Sequence, residues 1–527
     1  MGRFTRRRWR WLAAALAVPV MLLGALDFAL DEPLRRYMER TLNERLDGYM
    51  VRLGGLDFHV WGFSLDLKDL VVVQQANPDP PVARLPRWTA SVQWRELLSA
   101  NVVADFRFER PAVSLNLAHV RAEQEDDVPV EQRGWQAALQ AVYPFAINEL
   151  KIVGGDLTYE DEGPFEPLRL RQVDAVARNI RNIRSGPGAY PSDVHVETVV
   201  FEAGRILADG HADFLAEPRL GFEGEVRLEG IDLGYLRPIA RRYNIAVTRG
   251  ALAATGRVHY APDGSTTVHL ADLTLDGVHA DYVHTAATKS QEQAVAREAG
   301  QTAAAMSNEP GVLLRIDRAR LVRGNVGFVN QAAEPPYRAF VADTNLEITN
   351  LSNHQTEGTA VATLRGRFMG SGATLVDARF RPETKGPDFD LRVRIDDTDL
   401  TGMNDLLRAY GNFDVVRGVF AFYAELSVRT RAIDGYVKPL FRDLDVYDKR
   451  QDEDKNLFRK LYEGLVGGVS KLLENEPREE VATQADLSGR VADPQTSTWQ
   501  ILVRLIQNAF FKAILPGFER EVGRLRR

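Results

Sequence analysis

The chain has 527 residues, 73 acidic against 66 basic side chains, a net charge of −7 and no cysteine. Without Cys there are no disulfide staples, no thiolate metal site and no Cys nucleophile. Five Arg among the first ten residues contribute +5, which leaves −12 on residues 11–527 and argues against a nucleic-acid partner.

The length exceeds one ordinary core, so two or three units are expected. Residues 1–10 form a basic tail, with Arg3, Arg6, Arg7, Arg8 and Arg10. Leu12 to Leu26 is uncharged and apolar, with Trp9 and Trp11 at its head, where indoles favour a membrane boundary. The spacing predicts a transmembrane anchor over 11–30, with the tail in the cytoplasm and the body on the other side. A cleaved signal peptide and a buried helix are the alternatives, although Ala25-Leu26-Asp27 is a poor cleavage site.

Residues 31–117 read as a helix followed by strands. Leu34, Tyr37, Met38, Leu42 and Leu46 recur at helical spacing, and Pro33 falls in the first turn. From Val51 the period becomes two, as in Leu65-Asp66-Leu67-Lys68. Val102, Ala104, Phe106 and Phe108 share one face, and Pro111 interrupts the run. Residues 118–144 are an acidic linker with a short helix.

Two β-rich segments follow, 145–284 and 311–446, separated by an Ala/Gln-rich spacer at 285–310. Ile147, Ile152, Gly155, Leu157 and Tyr159 match Ile316, Leu321, Gly324, Val326 and Phe328. Asp232-Leu233 to Tyr243 matches Asp399-Leu400 to Tyr410, each before an Arg-Gly and another strand. A period near 167 residues indicates a duplicated unit of strands plus one helix. Residues 447–527 read as helix, strand and helix. The last helix presents Trp499, Leu502, Ile506, Phe510 and Ile514 over a broad apolar arc.

The expected class is therefore mainly β with a few helices, an α+β chain whose long sheet is mostly antiparallel. Nearly every strand has one apolar and one charged face, and the helices are too few to cover so many apolar faces. Either the sheets stack as sandwiches, or one long sheet curls into an open, apolar groove. In the groove, Phe222, Val226, Leu228, Phe389, Leu391, Val393, Ile395, Phe420, Phe422 and Leu426 are the candidate lining, with acyl chains as ligand.

No catalytic signature is present. Gly62-Phe63-Ser64-Leu65-Asp66 lacks the final Gly of a nucleophile elbow, and no H-E-x-x-H or Walker-type loop occurs. The nine His are scattered, and Asp399 reads as a helix N-cap. No catalytic, metal or cofactor site is expected.

Several stretches carry a resemblance. They are Gly411-Asn412-Phe413-Asp414-Val415, Gly418-Val419-Phe420, Gly435 to Phe441, Leu461-Tyr462-Glu463-Gly464 and Asn508 to Phe518. With Arg45-Leu46 to Gly48 and Leu65 to Leu70 near the start, they resemble the AsmA-like proteins of Gram-negative bacteria. The resemblance implies an inner-membrane anchor, a repeating β-groove in the periplasm and a role in phospholipid transport between membranes. It brings no catalytic residues. About twenty strands at ~4.8 Å per step give roughly 100 Å, short for one copy to bridge two membranes. The expected partners are phospholipid, the inner membrane, and the outer membrane or an envelope protein through the 499–515 helix. A membrane-anchored scaffold for outer-membrane proteins is the alternative.

Overall fold

The computed structural model describes residues 30–44, 46, 48–59, 64–92, 103–116, 146–160, 167–180, 188–214, 216, 219–242, 244–286, 312–352, 358–381, 388–411, 414–429, 432–447, 480–482 and 485–490. The expected anchor up to residue 29, the acidic linker, the spacer beyond 286, and the C-terminal helices with Trp499, Leu502, Ile506, Phe510 and Ile514 lie outside these residues. Among the described residues, no helix is long and apolar enough to cross a membrane. The described chain is mainly β, and it divides into two compact units. One comprises Met1–Ile231 with Arg257–Ser265, the other Asp232–Gly256 with Thr266–Arg527.

The first unit opens with helix α1 (30–44), followed by β1 (Tyr49–His59), β2 (Ser64–Gln74), β3 (Ala83–Val92), β4 (Val103–Glu109), β5 (Ala112–Asn116) and β6 (Ala146–Glu160). Then come β7 (Leu168–Arg178), β8 (Ser192–Val200), β9 (Gly204–Asp213) and β10 (Gly221–Asp232). β1 to β3 and β6 to β10 pair antiparallel with their chain neighbours, while β4 and β5 both lie between β3, antiparallel, and β6, parallel. A parallel neighbour needs a crossover of a dozen or more residues. The 29 residues of 117–145 supply that length between β5 and β6.

Met38 and Leu42 of α1, and Leu46 just beyond it, are 4–7% exposed and pack on Val51, Leu53, Leu67 and Trp88. Burying each is worth about 1.5–3 kcal/mol. Tyr37 departs from the expected stripe and is 56% exposed. A second stripe, also at four-residue spacing, grips the backbone of β1. Asp31 accepts from Phe58 N (2.8 Å), Arg35 donates to Leu53 O (2.9 Å) and Glu39 accepts from Leu53 N (3.2 Å). Asn43 donates to Val51 O (2.8 Å) and accepts from Val51 N (2.7 Å). These four side chains satisfy groups that an edge strand would otherwise present to another chain.

The second unit contains a 3-10 turn capped by Asp232, helix α2 (Arg237–Arg242), β11 (Ile245–Tyr260) as far as Gly256, and β12 (Thr266–His284) beside it. It continues with β13 (Val312–Asn330), β14 (Tyr337–Ser352), β15 (Ala360–Phe368), β16 (Gly372–Arg381) and β17 (Asp388–Asp399). A 3-10 turn capped by Asp399, helix α3 (Asn404–Gly411), β18 (Asp414–Arg429), β19 (Ala432–Tyr447), β20 (Glu480–Ala482) and β21 (Ala485–Arg490) complete it. β12 pairs in parallel with β13, and every other pairing from β13 to β21 is antiparallel.

Within each unit the paired strands form one ladder, not two stacked sheets, so the sandwich alternative does not hold for the described strands. Residues 146–284 and 312–447 have the same order of elements: five strands, a capped 3-10 turn with a short helix, and two more strands. Asp399 accepts from Thr401 N (2.9 Å) and so is an N-cap, as its position predicts. α3 buries Leu406 and Leu407, with Leu400 and Met403 of the preceding turn, against Phe420, Phe422 and Val437. Asn404 clamps the backbone of Val415 with two bonds, 2.7 and 2.9 Å, as Asn43 does at Val51.

Asn43→Ala is expected to lower unfolding stability by about 1–2 kcal/mol, because a half-buried backbone amide and carbonyl both lose their partner. The urea midpoint should fall, and hydrogen exchange at Val51 should accelerate ahead of the rest of β1.

Candidate functional site

The pairing register sorts the side chains into rows across the strands, because directly opposed residues point to the same face. In the first unit one row runs Leu56, Leu67, Trp88, Phe108, Ile152, Ala175, Val196, Ala208, Val226. Its neighbour runs Phe58, Leu65, Ala90, Phe106, Leu150, Ala177, Val194, Gly210, Gly224. Both rows cross nine strands without a polar side chain. The opposite face holds Lys151, Val176, His195, Asp209 and Glu225 in one row, and Arg178 pairs with Glu149 at 3.1 Å. A slip of one residue would turn each apolar row into solvent.

The second unit repeats the pattern across β12 to β19. One row is Leu275, Leu321, Leu346, Leu364, Val376, Val393, Ala424, Val437. The next is Leu273, Ala319, Ile348, Ala362, Ala378, Leu391, Leu426, Gly435.

Two features shape these strands. Left-handed residues with φ between +49° and +61° interrupt β2 at Asp69, β6 at Gly154, β7 at Gln172 and β10 at Gly230. In the second unit they fall at Gly277, Arg323, Asp343, Asn350, Asp397 and Asp443. Neighbouring interruptions are level, since Gly155 lies opposite Val173 and Gly324 opposite Thr344, with register shifts beside them. Such bulges bend a strand and increase its twist. Asp174 accepts from the Gly154 amide (3.0 Å) and Asn345 from the Arg323 amide (3.3 Å), so the freed N–H groups are satisfied. Three of the charged bulge residues form ion pairs, Arg323 with Asp276, Asp343 with Arg367 and Asp397 with Arg442.

The second feature is close approach on the apolar side. A side chain at Gly210 would collide with the backbone of Glu223 and Gly224, and one at Gly224 with Asp209. At Gly435 it would meet Glu425. Only glycine fits at these three positions, because the paired backbone lies where a Cβ would be.

Cover is uneven along these rows. Under α1, Leu56, Leu67 and Trp88 are 4%, 1% and 7% exposed. From Phe108 to Val226 the same row is only half-buried, and no described helix packs on it. In the second unit α3 covers Ile395, Phe420 and Phe422. Phe389, Leu391 and Leu426 sit in an adjoining cluster with Ala362, Ala378 and Val428. Of the ten strand residues expected to line a groove, Phe222, Val226, Leu228 and Val393 are half-buried. The other six are at most 9% exposed and act as core. The sequence shows which residues share a face, but not which part of that face a helix covers.

Polar chemistry is sparse. Among the described residues, no group of three or more His, Asp or Glu is arranged to hold a metal ion. His195–Asp209 (2.6 Å) and His211–Asp193 (3.1 Å) are exposed pairs on the charged face. Asp66 is held below the usual carboxylate range; burial pushes it up, but hydrogen bonds from Thr89 and Arg87 outweigh that. No protein-family model and no curated protein matches the chain.

Two substitutions in one row test the uneven cover. Leu67→Ala should cost about 2–5 kcal/mol and Val196→Ala about 1 kcal/mol or less, read from urea unfolding of the full chain. Equal costs would show that both ends of the row are equally covered.

Proposed function

We propose that the chain binds lipid acyl chains on the apolar faces of its sheets and takes part in phospholipid transport or outer-membrane homeostasis. In this reading residues 11–30 anchor it in an inner membrane with the N-terminus cytoplasmic, and the β-rich body is periplasmic. The shared element order of 146–284 and 312–447 reflects an internal duplication, and each bent sheet forms part of a groove. The resemblance to AsmA-like proteins points the same way.

The observation that carries the proposal is the half-buried run from Phe108 to Val226, continuous with a row that α1 buries. Contiguous apolar surface of this kind marks a binding site. Its form suits a hydrocarbon chain. Six strands at ~4.8 Å spacing give a strip roughly 24 Å long, made of apolar side chains alone. The bulges bend the strands that carry it, and the sheet's other face is charged. A transport role requires no catalytic residue.

The full-length protein, purified in mild detergent, should carry phospholipid detectable by mass spectrometry after extraction. Val226→Asp should reduce lipid per chain by at least about tenfold while the urea midpoint stays near wild type, because a carboxylate on a half-buried face reaches water but repels hydrocarbon. Wild-type protein free of lipid, crosslinking instead to one envelope protein, would replace this reading with the scaffold.

A further inference from the structure

The two units treat the same sheet face differently. Following the pairing outward from the match of Ile152 with Leu321, Ala175 of β7 stands where β14 has Leu346, Val196 where β15 has Leu364, and Ala208 where β16 has Val376. In the neighbouring row Ala177, Gly210 and Gly224 stand where the second unit has Ile348, Ala378 and Leu391. Val226 matches Val393, and Val194 alone is larger than its counterpart, Ala362. No register shift falls between these positions in either unit, so each set shares one face. Over the eight positions the first unit carries 12 side-chain carbons and the second 24. Burial follows volume. In the second unit Ala362, Ala378 and Leu391 are 3–8% exposed, and Leu346, Ile348, Val376 and Val393 pack on their cluster. In the first, Ala177 is buried and the other seven are half-buried. Gly210 and Gly224 oppose each other, and a Cβ at either would meet paired backbone, so the floor there stays bare.

We infer that the acyl chain lies in the first unit, in the hollow over β7 to β10, and that the second unit fills the same positions with its own side chains and holds none there. The inference rests on the acyl-binding reading above and narrows it to one copy. Packed side chains leave few voids larger than a water molecule, so the face that carries twice the carbon has no comparable space. On the first unit the deficit lies over a floor that offers no hydrogen-bond partner. Water gains nothing there, and an apolar hollow of this kind takes hydrocarbon instead.

The test loads full-length protein, in mild detergent, with a phosphatidylcholine whose acyl chain carries a photoactivatable group, followed by irradiation and digestion. Adducts should fall on peptides of β7 to β10 and be at least about tenfold rarer on those of β14 to β17. Equal labelling of both units overturns the assignment to the first and leaves acyl binding intact. No adduct and no co-purifying lipid overturns the acyl reading and this one with it. The triple substitution Ala175→Leu, Val196→Leu and Ala208→Val moves the second unit's residues into the first. It should lower lipid per chain at least about tenfold with the urea midpoint at or above that of wild type, because the added methyl groups take the place of hydrocarbon on a half-open face. Ala175→Leu alone should act in the same direction by a smaller factor. Unchanged lipid in these variants overturns the inference, and a lowered midpoint alongside it shows a hollow that the protein itself already fills.

Discussion

Strict alternation of apolar and polar side chains, held in register from strand to strand, is the constraint on which this structure depends. Alternation in one strand gives two faces; register gives continuity. Leu67 meets Trp88, Trp88 meets Phe108, and Phe108 meets Ile152 across a parallel join. Trp88 stacks on Phe108 with centroids 5.0 Å apart, so the row is packed laterally as well as aligned. The charged face reinforces the same choice, because Arg87 reaches Asp66 at 2.7 Å only in this register. Arg87 is half-exposed while Asp66 is buried, so a slip would leave that carboxylate without its partner.

Onto that plan the chain adds local departures that shape it. The left-handed residues at Arg323, Asp343 and Asp397 carry charge, form ion pairs and bend strands that would otherwise be straight. Glycines at 210 and 224 permit a close approach of β9 and β10 that any side chain would block. The parallel joins follow from long connections: 117–145 and 285–311 have the length that lets the next strand begin at the same end as the last.

Much of this was legible in the residues. Period-two runs such as Phe222 to Leu228 mark strands and faces, the capped turns at Asp232 and Asp399 are found by their matching sequences, and the helix at 30–44 by its apolar spacing. The rest was hidden for physical reasons. Phe420 and Val226 look alike in sequence, yet one lies under α3 and the other is half-open, because cover depends on where a distant helix packs. The bulges at Gln172 and Arg323 carry no local signature, since neither residue type favours a left-handed backbone.

Helix α1 has one further consequence. By holding the outermost backbone of β1 with Asp31, Arg35, Glu39 and Asn43, it makes the first strand a finished seed with a single receptive side. The side chains that cover Val51, Leu53 and Phe58 leave fewer open backbone groups on that side for another strand to pair with.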